Sequence, residues 1–208
     1  MKVLVLGASG RLGRHIVGGL LGRGHSVLAF IHSNNVLASH SQLEVFRGDV
    51  QDGVGVGAAI QGVDGVVSAL SSAAAPPKRV TSNAMRHVIP AMTASGVRRI
   101  VSVTGSAACR DNERKSRHPF LHARREQLMR VIPELVIDGE EHMRALEDSE
   151  LDWTVIRAPL MQGEFNGNYT LSLDPPPVHT TSSYAGVATA MIDQLASDEW
   201  LAAAPFVR

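Results

Sequence analysis

At 208 residues the chain sits near the upper end of one ordinary domain and is long enough to bury a sizeable core. Twenty Lys plus Arg balance twenty Asp plus Glu, so no basic surplus points to nucleic acid and no acidic surplus to a disordered tail. Cys109 is the only cysteine, the first apolar run is too short for a signal-peptide core, and no apolar run reaches the roughly 20 residues of a membrane span; the expectation is a cytoplasmic protein with no nucleic-acid and no membrane partner.

Short runs rich in valine and isoleucine alternate with longer stretches of helical period, the pattern of a parallel sheet covered by helices. Val3 to Leu6 predicts the first strand, and Leu12, Ile16 and Leu20 lie one turn apart on a helix that ends near Gly24. Ser26 to Ile31, Leu43 to Phe46 and Gly65 to Ala69 predict strands two to four. Ala73-Ala74-Ala75-Pro76-Pro77 and Pro175-Pro176-Pro177 read as loops. Val80, Ala84, Val88 and Met92 share one face of a helix with Pro90 as a kink position, and Arg99 to Val103 follows as strand five. Arg110 to His118 is charged and reads as a surface loop, whereas Leu121 to Arg130 and Glu140 to Asp148 read as helices. Strand six lies in "LDWTVIRAP", stopped by Pro159. Asn166-Gly167-Asn168 is turn chemistry, "YTLSL" a small extra strand, Ser183 to Ala196 a last helix, and Pro205 to Val207 an edge strand. The expected fold class is α/β: a Rossmann-type doubly wound parallel sheet in three α/β/α layers, one domain over residues 1–208 with a small appended C-terminal region.

The stretch "VLVLGASGRLGRHIV" carries the functional argument. Glycine inside a helix is about 1 kcal/mol less favourable than alanine, so three of them between a strand and a helix answer a local need. A helix opening onto the carboxyl edge of a sheet presents amides without intrahelical acceptors, reinforced by the helix dipole, and a diphosphate fits there. Gly7 is placed for the tight turn, Gly10 for close approach of backbone to phosphate, and Gly13 for helix–strand packing; Leu12 belongs to the same turn, and Ser9 adds a hydroxyl. The spacing is G-x-x-G-x-x-G, not the G-x-G-x-x-G of the commonest dehydrogenases, but the strand-turn-helix context matches.

A carboxylate about 20 residues beyond the glycines would grip the ribose of NAD. None occurs there, because Glu44 is the first acid of the chain. Arg11, Arg14, His32 and Ser33 stand in the region instead, and such groups suit a 2′-phosphate, so NADP(H) is expected in preference to NAD(H). The alternative for Arg14 and His32 is a solvated surface role.

In order, "VLVLGASGRLGRHIV", "FRGDVQD", "VDGVVSALSS", "GVRRIVSVTGSA" and "LDWTVIRAP" make the chain resemble the atypical short-chain dehydrogenase/reductases, in particular NAD(P)H-binding proteins of the flavin reductase (biliverdin-IX-beta reductase) and NmrA-like kinds. The resemblance runs from Lys2 to about Leu195. It implies that Asp49 and Val50 lie by the adenine, and that Ser68, Ala69 and Leu70 line the cofactor. It also implies that Thr104, Gly105 and Ser106 approach the nicotinamide ribose and that Ala158, Pro159 and Leu160 close over the nicotinamide. Asp49 also has the chemistry to cap the helix after it.

Carbonyl-reducing members of that family resemble one another in a tyrosine followed four residues later by lysine. Tyr169 and Tyr184 are the only tyrosines here, neither is followed by such a lysine, and Lys2, Lys78 and Lys115 are the only lysines. Two readings remain. One is an NADPH-dependent reductase passing hydride to a small-molecule acceptor such as a flavin or quinone, with Ser106 as the candidate catalytic residue and His142 a possible proton donor, against a solvated role on an exposed helix face. The other is a cofactor sensor without turnover. His118 and His122 lack HEXXH and read as surface residues with no metal, and Ser102 and Ser106 lack G-x-S-x-G. Arg110, Arg114, Lys115, Arg117, Arg124 and Arg125 alternate with Asp111, Glu113 and Glu126 and read as a solvated face.

Overall fold

In the computed structural model, which describes residues 1–33, 36–74, 79–116, 118–163 and 167–208, the first strand, β1 (Lys2–Leu6), sends Val3 and Val5 to one face and Leu4 and Leu6 to the other. All four are fully buried, so the sheet is covered on both sides. The chain continues through α1 (Arg11–Gly22), β2 (Ser26–Ile31), β3 (Leu43–Arg47), α2 (Val56–Ile60), β4 (Gly65–Ser68), α3 (Val80–Ala94) and β5 (Arg99–Gly105). After β5 come three helices, α4 (Asp111–Ser116), α5 (Pro119–Val131) and α6 (Pro133–Glu147), before β6 (Asp152–Ala158). Short pieces close the chain: β7 (Leu160–Met161), β8 (Leu171–Ser172), β9 (Thr181–Ser182), α7 (Tyr184–Asp193) and β10 (Phe206–Val207).

The strand order is β3-β2-β1-β4-β5-β6-β10-β8, parallel throughout except for β8, and β7 pairs with β9 beside it. Strand order reverses between β1 and β4, which opens a crevice at their carboxyl ends. On one face Leu12, Ile16 and Leu20 of α1 meet Val187, Met191 and Ile192 of α7. On the other Met85, Val88 and Met92 of α3 meet Met143 and Leu146 of α6, with Trp153 beneath.

Four expectations need correction. Within the segment read as a loop from Arg110 to His118, Asp111–Ser116 is helical: Asp111 and Glu113 in the first turn and Arg114 and Lys115 in the last complement the dipole of α4. Phe206 and Val207 are not at an edge, because β10 lies between β6 and β8, and the edge falls to Leu171 and Ser172 of the "YTLSL" segment. The helix expected from Glu140 already starts at Pro133, a favoured first-turn residue. The last helix splits into α7, capped by the Ser183 side chain, and a 3₁₀ turn at Gln194–Ala196. Ala75, Pro76, Pro77, Arg117 and Asn166 lie outside the described residues.

Gly13 fixes the seat of α1. A Cβ there would lie 2.1 Å from the Gly7 carbonyl oxygen and 2.8 Å from the Ala8 Cα, both backbone atoms that cannot swing aside. Gly13→Ala should therefore destabilise the protein by about 2 kcal/mol or more, read as a lower urea midpoint at unchanged m.

Candidate functional site

The turn after β1 is built by Gly7, whose positive φ of 74° side chains rarely adopt, and by a 3.0 Å bond from the Gly10 amide to the Gly7 carbonyl. Helix α1 then opens with Gly10 as its N-cap, with no side-chain cap and no acidic residue in its first turn. Its first internal bond is Arg14 N–H to the Gly10 carbonyl at 3.0 Å; the amides of Arg11, Leu12 and Gly13 have no acceptor among the described residues. A Cβ at Gly10 would meet only the Gly7 oxygen, at 3.2 Å, so the mouth of the helix is open on that side. Three free N–H donors, an uncapped dipole and an open approach suit a diphosphate. Ser9 stands half-buried in the same turn.

The other sequence-selected residues lie at neighbouring strand ends. A Cβ on Gly7 would touch the Ala69 carbonyl group at 3.0 Å, so the exits of β1 and β4 are in contact, and Leu70 follows, buried. Ser68, at the end of β4, and Ser106, after β5, are both buried with hydroxyls that have no partner among the described residues. The Ser106 amide donates to the Ala158 carbonyl at 2.8 Å, joining the exit of β5 to that of β6, where Pro159 is buried. Thr104 packs under α6 at Gly139, where a Cβ would come within 2.2 Å of its hydroxyl.

Further residues singled out in the sequence meet at the exits of β2 and β3. His32 Nε2 lies 3.3 Å from Asp49 Oδ2, and Asp49 accepts from the Gln51 amide at 2.8 Å and bridges to Val54, so it closes a turn and does not cap α2, whose N-cap is Gly55. Val50 is buried beside it. Arg47, at the end of β3, donates to the Ser33 carbonyl at 2.7 Å and brings a cation to the exit of β2. Arg11 instead leans over Tyr184, 5.1 Å from the ring centroid, with its Nη1 3.5 Å from the hydroxyl. Arg11, Arg14, His15, Gly163 and Tyr184 line an open cleft of about 610 Å³ on that side. Sequence reasoning missed Arg47, although it sits inside "FRGDVQD", and passed over Tyr184 for want of a lysine. Tyr169 donates to Asp193 Oδ2 at 2.6 Å, and burial together with that bond pushes its phenol up to about 12, which removes it as a proton donor near neutrality.

Behind the site, Asp138 of α6 is buried and accepts from Ser72 Oγ at 2.5 Å and from the amides of Ser82 and Thr81 at 2.8 and 3.1 Å. It ties the segment after β4 to the N-terminus of α3. Burial opposes its charge, but these hydrogen bonds hold the carboxyl below its usual range. His142 is not on an exposed face: it is fully buried, with Nε2 2.9 Å from Ser102 Oγ and Nδ1 unpartnered. Gly139 allows this by letting α6 close onto β5.

The charged segment is likewise not simply solvated. Arg157, 1% exposed, forms a bidentate pair with Glu113 at 2.6 and 2.7 Å and stacks on Phe206. Glu140, 4% exposed, is held by Arg114 and Arg125 at 2.5 and 2.7 Å and by the Cys109 amide. Arg110 pairs with Glu147. His118 and His122 are half-buried, each with one unpartnered ring nitrogen.

A family described as NAD(P)H-binding matches residues 7–198. Among solved structures, the oxidoreductase ylbE of Lactococcus lactis covers 100% of this chain with 90% of its own at a TM-score of 0.82 and 15% identity. ChuY, an anaerobillin reductase of Escherichia coli O157:H7, does so with 96% of its chain at 0.73 and 22%. SP1627 of Streptococcus pneumoniae TIGR4, provisionally assigned as an NADH-flavin reductase, does so with 98% at 0.79 and 22%. At these identities the likeness is one of fold. The Mycobacterium tuberculosis (strain H37Rv) 3 beta-hydroxysteroid dehydrogenase/Delta 5→4-isomerase is 43% identical over 63 residues, which is 30% of this chain and 17% of that protein's length. Among the described residues no helix is long and apolar enough to cross a membrane.

The buried imidazole makes the scaffold sensitive to acid. Burial lowers His142 from 6.5 to about 4, so below pH 6.5 the unfolded chain takes a proton that the folded one refuses. The stability contributed by keeping it neutral is complete above pH 6.5 and lost as pH falls toward 4, about 3 kcal/mol in all. Urea denaturation should show that loss in the wild type and a shallower one in His142→Gln.

Proposed function

We propose a function from one premise: the chain belongs to the NAD(P)H-binding family, with the Rossmann fold of the atypical short-chain dehydrogenase/reductases. It is an oxidoreductase that holds NADPH along the carboxyl edge of the sheet and passes hydride to a flavin, a quinone or a similar small acceptor, without a tyrosine–lysine relay. The observation that carries this reading is the mouth of α1, where the amides of Arg11, Leu12 and Gly13 lack acceptors and Gly10 leaves the approach open.

In this reading those amides take the diphosphate, with Arg11 and the Ser9 hydroxyl beside it. Asp49 and Val50 flank the adenine, while Ala69, Leu70 and Thr104 line the path between the two nucleotides. The reduced nicotinamide, when bound, supplies a hydride donor. Pro159 closes over its ring and excludes water, and the unpartnered Ser106 hydroxyl orients the carboxamide or the acceptor. The proton comes from solvent, since Tyr169 is committed to Asp193 and His142 is buried on Ser102. NADP(H) is preferred to NAD(H): no carboxylate belongs to β2 or follows it directly in the sequence, and Arg47 brings a cation to its exit, beside the His32–Asp49 pair.

Anaerobic incubation with NADPH and a panel of flavins and quinones, followed at the absorbance of the reduced nicotinamide, should show oxidation above background. Tight binding with no turnover on any acceptor would replace the reductase by a cofactor sensor. Gly10→Val should still show a cooperative thermal transition, because its Cβ would meet only the Gly7 carbonyl oxygen, at 3.2 Å, and should abolish NADPH binding in calorimetry. Arg47→Gln should lower the NADPH-over-NADH affinity ratio by roughly tenfold or more, the worth of one charge-assisted bond. An unchanged ratio would remove Arg47 from the cofactor choice.

A further inference from the structure

The cleft between α1 and Gly163 carries cationic groups beyond those at the helix mouth. Arg11 belongs to the mouth, since its own amide is unbonded. Arg14 does not: its amide is already bonded to Gly10, and its side chain projects from the body of the helix into the cleft. Tyr184 organises the neighbours, with Arg11 over its ring and the His15 ring stacked at 6.1 Å and 12°. The Arg14 side chain is left with no hydrogen bond, ion pair or ring contact among the described residues. Most arginines of the chain are treated otherwise; Arg23, Arg79, Arg98, Arg110, Arg144 and Arg157 each have a carboxylate partner. No Asp or Glu occurs in α1 or among the described residues lining the cleft, where Arg11 and Arg14 stand together. A volume of about 610 Å³ lies within the usual range of small-molecule sites.

We infer that this cleft receives the anionic tail, a phosphate or a carboxylate, of the acceptor, and that Arg14 is the specificity-determining contact. The inference rests on the reductase reading and narrows its substrate class to redox-active rings that bear such a tail. Tyr184 and His15 form the wall along which the tail runs, and Arg14 ends it.

Flavin mononucleotide and riboflavin share one ring system and differ by the phosphate, so they make the test. Each is titrated into the NADP⁺-loaded protein and followed by flavin fluorescence. The wild type should bind the mononucleotide on the order of tenfold more tightly, and in Arg14→Gln the ratio of the two dissociation constants should fall to about one. Equal affinities in the wild type, or no binding of either flavin, overturn the inference, as does a ratio that survives in Arg14→Gln. A large loss of NADP⁺ affinity in that variant would assign Arg14 to the cofactor and overturn it too. Turnover measured with NADPH in place of NADP⁺ separates the two readings: flavins bound with the expected ratio but never reduced by NADPH would refute the reductase alone.

Discussion

The close descent of α1 onto the turn that ends β1 is the constraint on which the carboxyl edge depends. With no atom beyond hydrogen at Gly13, the first helical turn rests on the Gly7 carbonyl and the Ala8 backbone. That contact sets the height of the helix mouth above the crevice between β1 and β4. Because the mouth carries neither a capping side chain nor an acid, its amides and dipole stay available to an outside anion. A serine or aspartate at position 10 would have stabilised the helix and filled the site with the protein's own oxygen.

The second organising element is the charge network of the three-helix excursion after β5. Burying Arg157 with Glu113, and Glu140 with two arginines, adds little net stability, because desolvation offsets most of the attraction. Its effect is positional. An unpaired buried charge is far more unfavourable than a paired one, so α4, α5 and α6 have one arrangement in which every partner is met. In that arrangement the exits of β5 and β6 are joined by the bond from the Ser106 amide to the Ala158 carbonyl.

Where regular periodicity and local turn chemistry decide the structure, the sequence was legible. Strands β1 to β6, helix α1 and the glycine turn follow from valine-rich runs, four-residue apolar spacing and the demand for glycine at close approach. Local reasoning failed where distant partners decide. The "DNERKS" segment looks solvated until Arg157, 44 residues away, is seen to need Glu113. His142 looks exposed until Gly139 is recognised as the contact that lets α6 onto β5. The two-residue β10 has no period to read, and its interior place in the sheet comes from pairing with β6 and β8. At the candidate site the glycines and the strand-end segments were visible, whereas the direction of Arg11 and the reach of Arg47 depend on side chains that no spacing encodes.

Cys109 sits next to Glu140 with 1% of its surface exposed, and burial first, then the neighbouring carboxylates, push its thiol up to about 11. At pH 7 about one molecule in ten thousand carries the nucleophilic thiolate. Electrophiles and peroxides react with the thiolate far faster than with the thiol, so a cysteine held protonated and covered is shielded from both. Enclosing the sulfur against Leu121 of α5 and Phe206 withholds this one side chain from such reagents for as long as the protein stays folded.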